Sequence, residues 1–367
     1  MTLVLVAPDK FKGSLSAAEV ARSIGRGLGE GGLAWRALPL ADGGDGSAQA
    51  AVDAGYRPIA VDVVGPVGQP ARTLVAFDGD TAVVEVATTC GLQLLGELAP
   101  LASTSAGFGE ALLAARSLRP RRIVLALGGS ATTDGGAGLL SALGAVFLDD
   151  RGRRLVPCGG TLADIERVDL TGLASFGGVE LVAASDVRNP LVGPAGAATV
   201  YGPQKGATPD DVAALDAGLA HLVRRLDEAG LPASLSASAS GAGSAGGLGF
   251  AAMLLGARLV SGADFFLDLL GFDEAASMAD LVITGEGKLD EQTLAGKLPL
   301  AVARRAGSVP VLAVVGHNAL GEDALPEYGI EGIWSLSRLS GQDTSADPEL
   351  SAELLAQIGC DIAFRRA

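Results

Sequence analysis

"LALGGSATTDGGAGLLSALGA", residues Leu125 to Ala145, passes from an apolar run through glycine, serine and threonine to one aspartate, and then into an apolar stretch of helical character. That order reads as strand, turn and helix. Glycine lets backbone N–H groups approach a ligand closely, and a helix start carries partial positive charge, so such a turn is suited to an anion. Asp134 is out of place beside an anion unless a metal ion or a transferable proton lies between the two. The stretch therefore points towards phosphate chemistry.

The same passage from apolar run to polar turn recurs in "LVLVAPDKFKG", "ALPLADGGDG", "ELVAASDVRNP", "ADLVITGEGKLDEQT" and "VPVLAVVGHN", and helical patterns follow most of them. Alternating strand and helix implies an α/β fold with largely parallel sheets, whose ligands collect beyond the carboxyl ends of the strands. One region differs: "RPIAVDVVGPVGQPARTLVAFDGDTAVVEVA" holds three β-type runs with Gly/Pro/Asp turns and no helix between them, a meander. The expected architecture is two α/β domains. A discontinuous, doubly wound Rossmann- or flavodoxin-like domain spans 1–58 and 276–367, and a second α/β domain is inserted at 59–275, with the active-site cleft expected between them.

The chain has 367 residues, room for about two domains. Its 27 basic and 42 acidic side chains leave a net charge of −15, which disfavours nucleic acid and anionic membranes as partners. An anionic substrate must then find a local positive site. Cys90, Cys158 and Cys360 have neither disulfide nor zinc-ligand spacing, and only two histidines occur, so a reducing, cytoplasmic setting is expected. The charge-free segment from Ala229 to Ala257 contains Pro232 and many serines and glycines, which reads as a loop entering a helix rather than a membrane span. Composition fits a monomer and a homodimer equally.

The lysines are sparse and placed. There are five, Lys10, Lys12, Lys205, Lys288 and Lys297, and all but Lys10 adjoin a glycine. A compact ammonium beside exposed backbone suits phosphate or carboxylate, although solvated loops also carry lysine. Carboxylates gather at the strand ends: Asp9, Asp42, Asp45, Asp134, Asp186, Glu286 and Asp290. Asp is equally a common turn and N-cap residue. Together they supply what a kinase requires, namely carboxylates for magnesium and for the hydroxyl proton, with cations and amides for the phosphoryl group. "GAGSAG" at 241–246 matches GxGxxG but lacks a preceding strand, and no P-loop, HRD, DFG or GxSxG motif occurs. His221 falls in an amphipathic helix, which leaves a Ser-His-Asp triad without support.

Taken in order, "APDKFKGSLSA", "LADGGDG", "GGSATTDGGAG", "SDVRNPL", "YGPQKGAT" and "DLVITGEGKLDEQT…GK" resemble the bacterial glycerate kinase type I family along almost the whole chain. The resemblance implies a two-domain α/β enzyme that phosphorylates D-glycerate with ATP and Mg2+, giving 2-phosphoglycerate. Thr133, Asp45 and Lys288 stand where the family often has Asn, Glu and Arg. On this reading Gly128, Gly129, Ser130, Thr132, Asp134, Gly135 and Gly136 receive phosphate. Asp134, with Asp186 as its rival, sits near magnesium or the reacting hydroxyl. Lys10, with catalytic weight, joins Lys12 and Ser14 against anionic groups. Asp42, Gly43, Gly44, Asp45, Lys205, Glu286, Lys288, Asp290 and Lys297 complete the binding set. The alternatives are a kinase that gives 3-phosphoglycerate or acts on another small hydroxy or sugar acid, and a non-catalytic two-lobed binding protein.

Overall fold

The computed structural model describes residues 2–294, 297–320 and 326–366. The chain divides into two compact units: Met1–Asp42, Gln49–Ala54 and Ala263–Ala367 in one, Gly43–Ala48 and Gly55–Gly262 in the other.

The first unit is built on a five-stranded sheet in the order Gly332–Ser335, Val311–Val315, Leu281–Thr284, Leu3–Val6, Ala34–Ala37, with every neighbouring pair parallel. Numbered along the chain, this is the order 2-1-3-4-5 of flavodoxin-like sheets. The strands Leu281–Thr284 and Val311–Val315 are buried throughout, as expected of apolar runs covered on both faces. The helix Ala17–Glu30 opens with a reciprocal capping box: Ser16 Oγ accepts from Glu19 N–H, and Glu19 accepts from Ser16 N–H. Its buried stripe of Val20, Ala21, Ile24 and Leu28 shares a core with Leu355, Ile358 and Ile362 of the helix Pro348–Arg366. The two backbones nearly touch, since a Cβ at Gly27 would lie 1.8 Å from Ala356 O and one at Gly359 would lie 2.3 Å from Ile24 O. Arg305, on the helix Leu298–Arg305, grips both carboxylate oxygens of Asp273 at 2.8 and 2.6 Å and pairs with Asp268 at 2.6 Å.

The second unit contains a six-stranded sheet whose spatial order follows the chain: Arg57–Val64, Pro70–Phe77, Thr81–Glu85, Arg122–Ala126, Glu180–Ala184, Arg258–Val260. The first three strands are the antiparallel meander, and from Thr81–Glu85 onward neighbours run parallel. Carboxyl ends of five strands, all but Pro70–Phe77, thus share one edge. Phe108, Leu112, Leu139, Leu140, Phe147 and Phe250 fill the core beneath the covering helices. The charge-free segment folds into the short helices Ala233–Ser238 and Leu248–Leu254. Among the described residues no helix is long and apolar enough to cross a membrane.

Candidate functional site

In the first unit the strand order reverses between Leu3–Val6 and Leu281–Thr284, the position where open parallel sheets leave a crevice for ligands. Asp9 follows the first of these strands and Glu286 the second, and Asp9 N–H donates to Gly285 O at 2.8 Å. Leu40 N–H donates to Pro8 O, bringing the segment that ends in Asp42 alongside. Burial holds the Asp9 carboxyl well above the usual range, and repulsion from Asp42 and Glu286 raises it further. Burial likewise lifts Glu286, 8 % exposed, to about 7, against the opposing pull of Thr293 and Lys297. Thr293 Oγ donates to Glu286 at 2.6 Å. Asp42 and Asp290 also repel Glu286, so these carboxylates act on one another. Lys288 is exposed and pairs with Asp290 at 3.7 Å, while Lys12 points to solvent. The hydroxyls of Ser14 and Thr284 are buried without a hydrogen-bond partner.

In the second unit Asp134 lies in the interior. Its side chain is fully buried. One carboxylate oxygen accepts from Ser105 N–H at 2.8 Å, Ser105 Oγ–H at 2.7 Å and Gly138 N–H at 3.2 Å, while the other accepts from Gly136 N–H at 3.0 Å. Asp134 therefore ties together the starts of the helices Ala106–Ser117 and Ala137–Ala142, with both of its oxygens engaged by donors of the protein itself. Burial raises its proton affinity even against those four donors. Ser130–Gly136 is buried along its whole length. A Cβ at Gly135 would lie 2.6 Å from Leu222, and one at Gly136 would lie 2.3 Å from Ala251, so these glycines permit close internal packing. Thr132 is fully buried too.

Lys205 is also internal, 3 % exposed. Its ammonium donates to Ser130 Oγ at 2.9 Å and to Thr132 O, and burial lowers it to about 8. It braces the turn from within. What the turn exposes is Gly128 and Gly129. Gly128 N–H donates to Gly43 O at 3.0 Å, and a Cβ at Gly128 would lie 2.4 Å from Gly44 Cα, so the two glycine loops lie backbone on backbone. Asp45 accepts from Gln93 at 3.3 Å. Asp186 is half-buried and accepts from Ser261 Oγ and Gly262 N–H, both at 2.9 Å. Among the described residues no three His, Cys, Asp or Glu side chains converge to hold a metal ion.

The model of the glycerate kinase family matches residues 4–364. The chain belongs to the glycerate kinase family. It is 41 % identical to the glycerate kinase of Bacillus subtilis (strain 168), covering 98 % of this chain and 96 % of that one. It is 37 % identical to the glycerate 2-kinase of Escherichia coli (strain K12), over 91 % and 90 % of the two chains. Among solved structures, a Salmonella typhimurium LT2 protein described as a glycerate kinase 2 superimposes with a TM-score of 0.83 at 34 % identity, covering 100 % of this chain and 98 % of that one.

For this member of the glycerate kinase family, the residues singled out in the sequence fall into separate groups. Asp9, Asp42 and Glu286 are coupled electrostatically, with Lys10, Asp290 and Lys297 among their charged neighbours. Gly43, Gly44, Asp45, Gly128, Gly129 and Asp186 lie at or beside the carboxyl edge of the second sheet. Asp134, Thr132, Gly135, Gly136 and Lys205 are interior. Sequence reasoning passed over Thr293 and Glu85. Thr293 carried a signal, since it ends the "GEGKLDEQT" motif. Glu85 carried none beyond being one charge inside an apolar run.

Proposed function

We propose that the chain transfers the γ-phosphoryl group of ATP, taken as its magnesium complex, to D-glycerate, giving 2-phosphoglycerate and ADP. The observation that carries this reading is the cluster of carboxylates and lysines at the switch point of a flavodoxin-like sheet, in a chain that matches the family nearly end to end. The name of the Escherichia coli relative supports the 2-position.

Asp9 is our candidate for taking the proton of the attacking hydroxyl, because burial and its acidic neighbours give it a raised proton affinity. Lys10, Lys12 and Lys297 hold anionic groups, and the Ser14 hydroxyl is a spare donor for them. In the second unit we assign the exposed Gly128–Gly129 turn and Asp186 to ligand. Mg2+ in such enzymes is held by one or two carboxylates together with substrate phosphates and water. Asp186 fits that requirement; the enclosed Asp134 does not. The three cysteines are unpaired, which supports a reducing cytoplasm.

Purified protein with ATP, Mg2+ and D-glycerate is expected to release ADP, and coupling to enolase without phosphoglycerate mutase is expected to report 2-phosphoglycerate. Signal that appears only after the mutase is added means the 3-hydroxyl is the acceptor. ADP release with other hydroxy acids but with neither glycerate enantiomer overturns the substrate.

A further inference from the structure

Glu85 ends the strand Thr81–Glu85, is 1 % exposed, and brings a carboxyl group into the interior of the second unit. A buried carboxylate is tolerated only when strong donors satisfy it. Here backbone amides of the glycine loop donate to it. Gly46 N–H donates to one oxygen at 3.0 Å, and Ala48 N–H donates to the other at 3.0 Å. The strand is fixed on both sides, antiparallel to Pro70–Phe77 and parallel to Arg122–Ala126. Glu85 is thus a rigid post, and residues 43–48 hang from it through two hydrogen bonds.

Gly43, Gly44 and Gly46 bring no side chains to pack, so the path of the loop up to the buried Ser47 and Ala48, which open the helix Ser47–Asp53, depends on backbone contacts. Gly43 and Gly46 adopt φ of +84° and +95°, a region only glycine enters easily, so the loop holds no intrinsic preference for its observed path. At Gly43 the contacts are with neighbouring backbone: Gly43 O receives Gly128 N–H, and a Cβ at Gly43 would lie 2.8 Å from Ala184 O. A loop seated by backbone contacts moves as a whole when a carboxylate that bonds two of its amides is lost. That movement carries Asp45 and the Gly128 turn with it.

We infer that Glu85 is a positioning residue for the glycine loop 43–48: it touches no substrate and acts by holding Gly46 and Ala48, and through them the loop that borders the ligand-facing Gly128–Gly129 turn. This rests on the function proposed above.

The test is Glu85→Gln in the full-length protein. The amide keeps one acceptor and sets an NH2 against the other backbone N–H. Partial unfolding removes active enzyme, lowering apparent kcat while both KM values stay as they were. Loop displacement acts otherwise and is expected to raise the KM of one substrate at least fivefold while the other stays within twofold. Glu85→Asp, which keeps the charge but shortens the reach, is expected to do the same and serves where Glu85→Gln does not fold. Both KM values unchanged in a folded variant overturn the inference. Hydrogen exchange separates this failure from failure of the functional reading: amides 46 and 48 are expected to lose protection in the variant even if glycerate proves not to be the substrate. Unchanged protection there overturns the anchoring itself.

Discussion

Asparagine at position 134 would keep the shape of Asp134 and reverse its chemistry. Whichever way the amide turns, its NH2 meets at least one of the backbone donors of Ser105, Gly136 or Gly138. Asp134→Asn is expected to cost about 2–4 kcal/mol of stability, read as a lower urea midpoint at unchanged slope, with kcat of the folded fraction within about tenfold of wild type. A variant of wild-type stability that loses a hundredfold in kcat would return Asp134 to the chemistry. Glu286 is likewise raised by burial, and its effect is read through pH. Its folded value near 7 stands above its ordinary 4.5, so between these pH values the folded state binds more protons than the unfolded one. Stability from this group is full below about pH 4.5 and is lost as pH rises through 7. Glu286→Gln, neutral at every pH and still able to accept from Thr293, is expected to melt higher than wild type at pH 8 and nearly level with it at pH 5. A difference equal at both pH values would remove burial as the cause. Asp9 and Asp134, also raised, add the same sign to the wild-type profile.

At the scale of elements, the strand ends were legible and their partners were not. The runs "LVLV", "RIVLA", "ELVAA" and "LVIT" became buried parallel strands because a sheet covered on both faces demands unbroken apolar residues. The meander was readable from its turns. The loop after Arg122–Ala126 misled in part, because glycine allows close approach of a neighbouring backbone as readily as of a phosphate, and nothing local distinguishes the two. Only the fold reveals that Gly135 and Gly136 face Leu222 and Ala251. In the same way Asp9 and Asp134 are each an aspartate in a polar turn after an apolar strand. One finds acidic neighbours there and the other finds helix amides. Glu85 was invisible because its partners lie 37 and 39 residues earlier. Gly128→Ala tests the backbone contact between the two glycine loops. Its Cβ has no room beside Gly44, so the loops must part, and kcat/KM is expected to fall by about tenfold or more, displacements near 1 Å costing up to 10²-fold. Wild-type kinetics in Gly128→Ala would mean the turn does not meet substrate.

At the scale of the whole molecule, each unit has its own core, and that of the first is assembled from both ends of the sequence. The helix Pro348–Arg366 contributes Leu355, Ile358 and Ile362 to the core that holds Ile24 and Leu28. A chain stopped at Asp347 is therefore expected to lose the first unit and keep the second. Limited proteolysis followed by mass spectrometry should leave a resistant fragment covering roughly 55–262, the continuous part of the second unit. Uniform digestion would mean the second core depends on the first.

The strand Leu3–Val6 lies between Ala34–Ala37 and Leu281–Thr284. On the ribosome the first of these neighbours emerges promptly, whereas the second must await the whole inserted unit. At ~5–20 residues per second the interval is on the order of tens of seconds. For that time one edge of an apolar strand and the buried stripe of Ala17–Glu30 stay uncovered. The birth order of the molecule is then the reverse of its reading order, with the middle completed first and the beginning last. Any agent that shelters nascent chains has its longest task at residues 3–30.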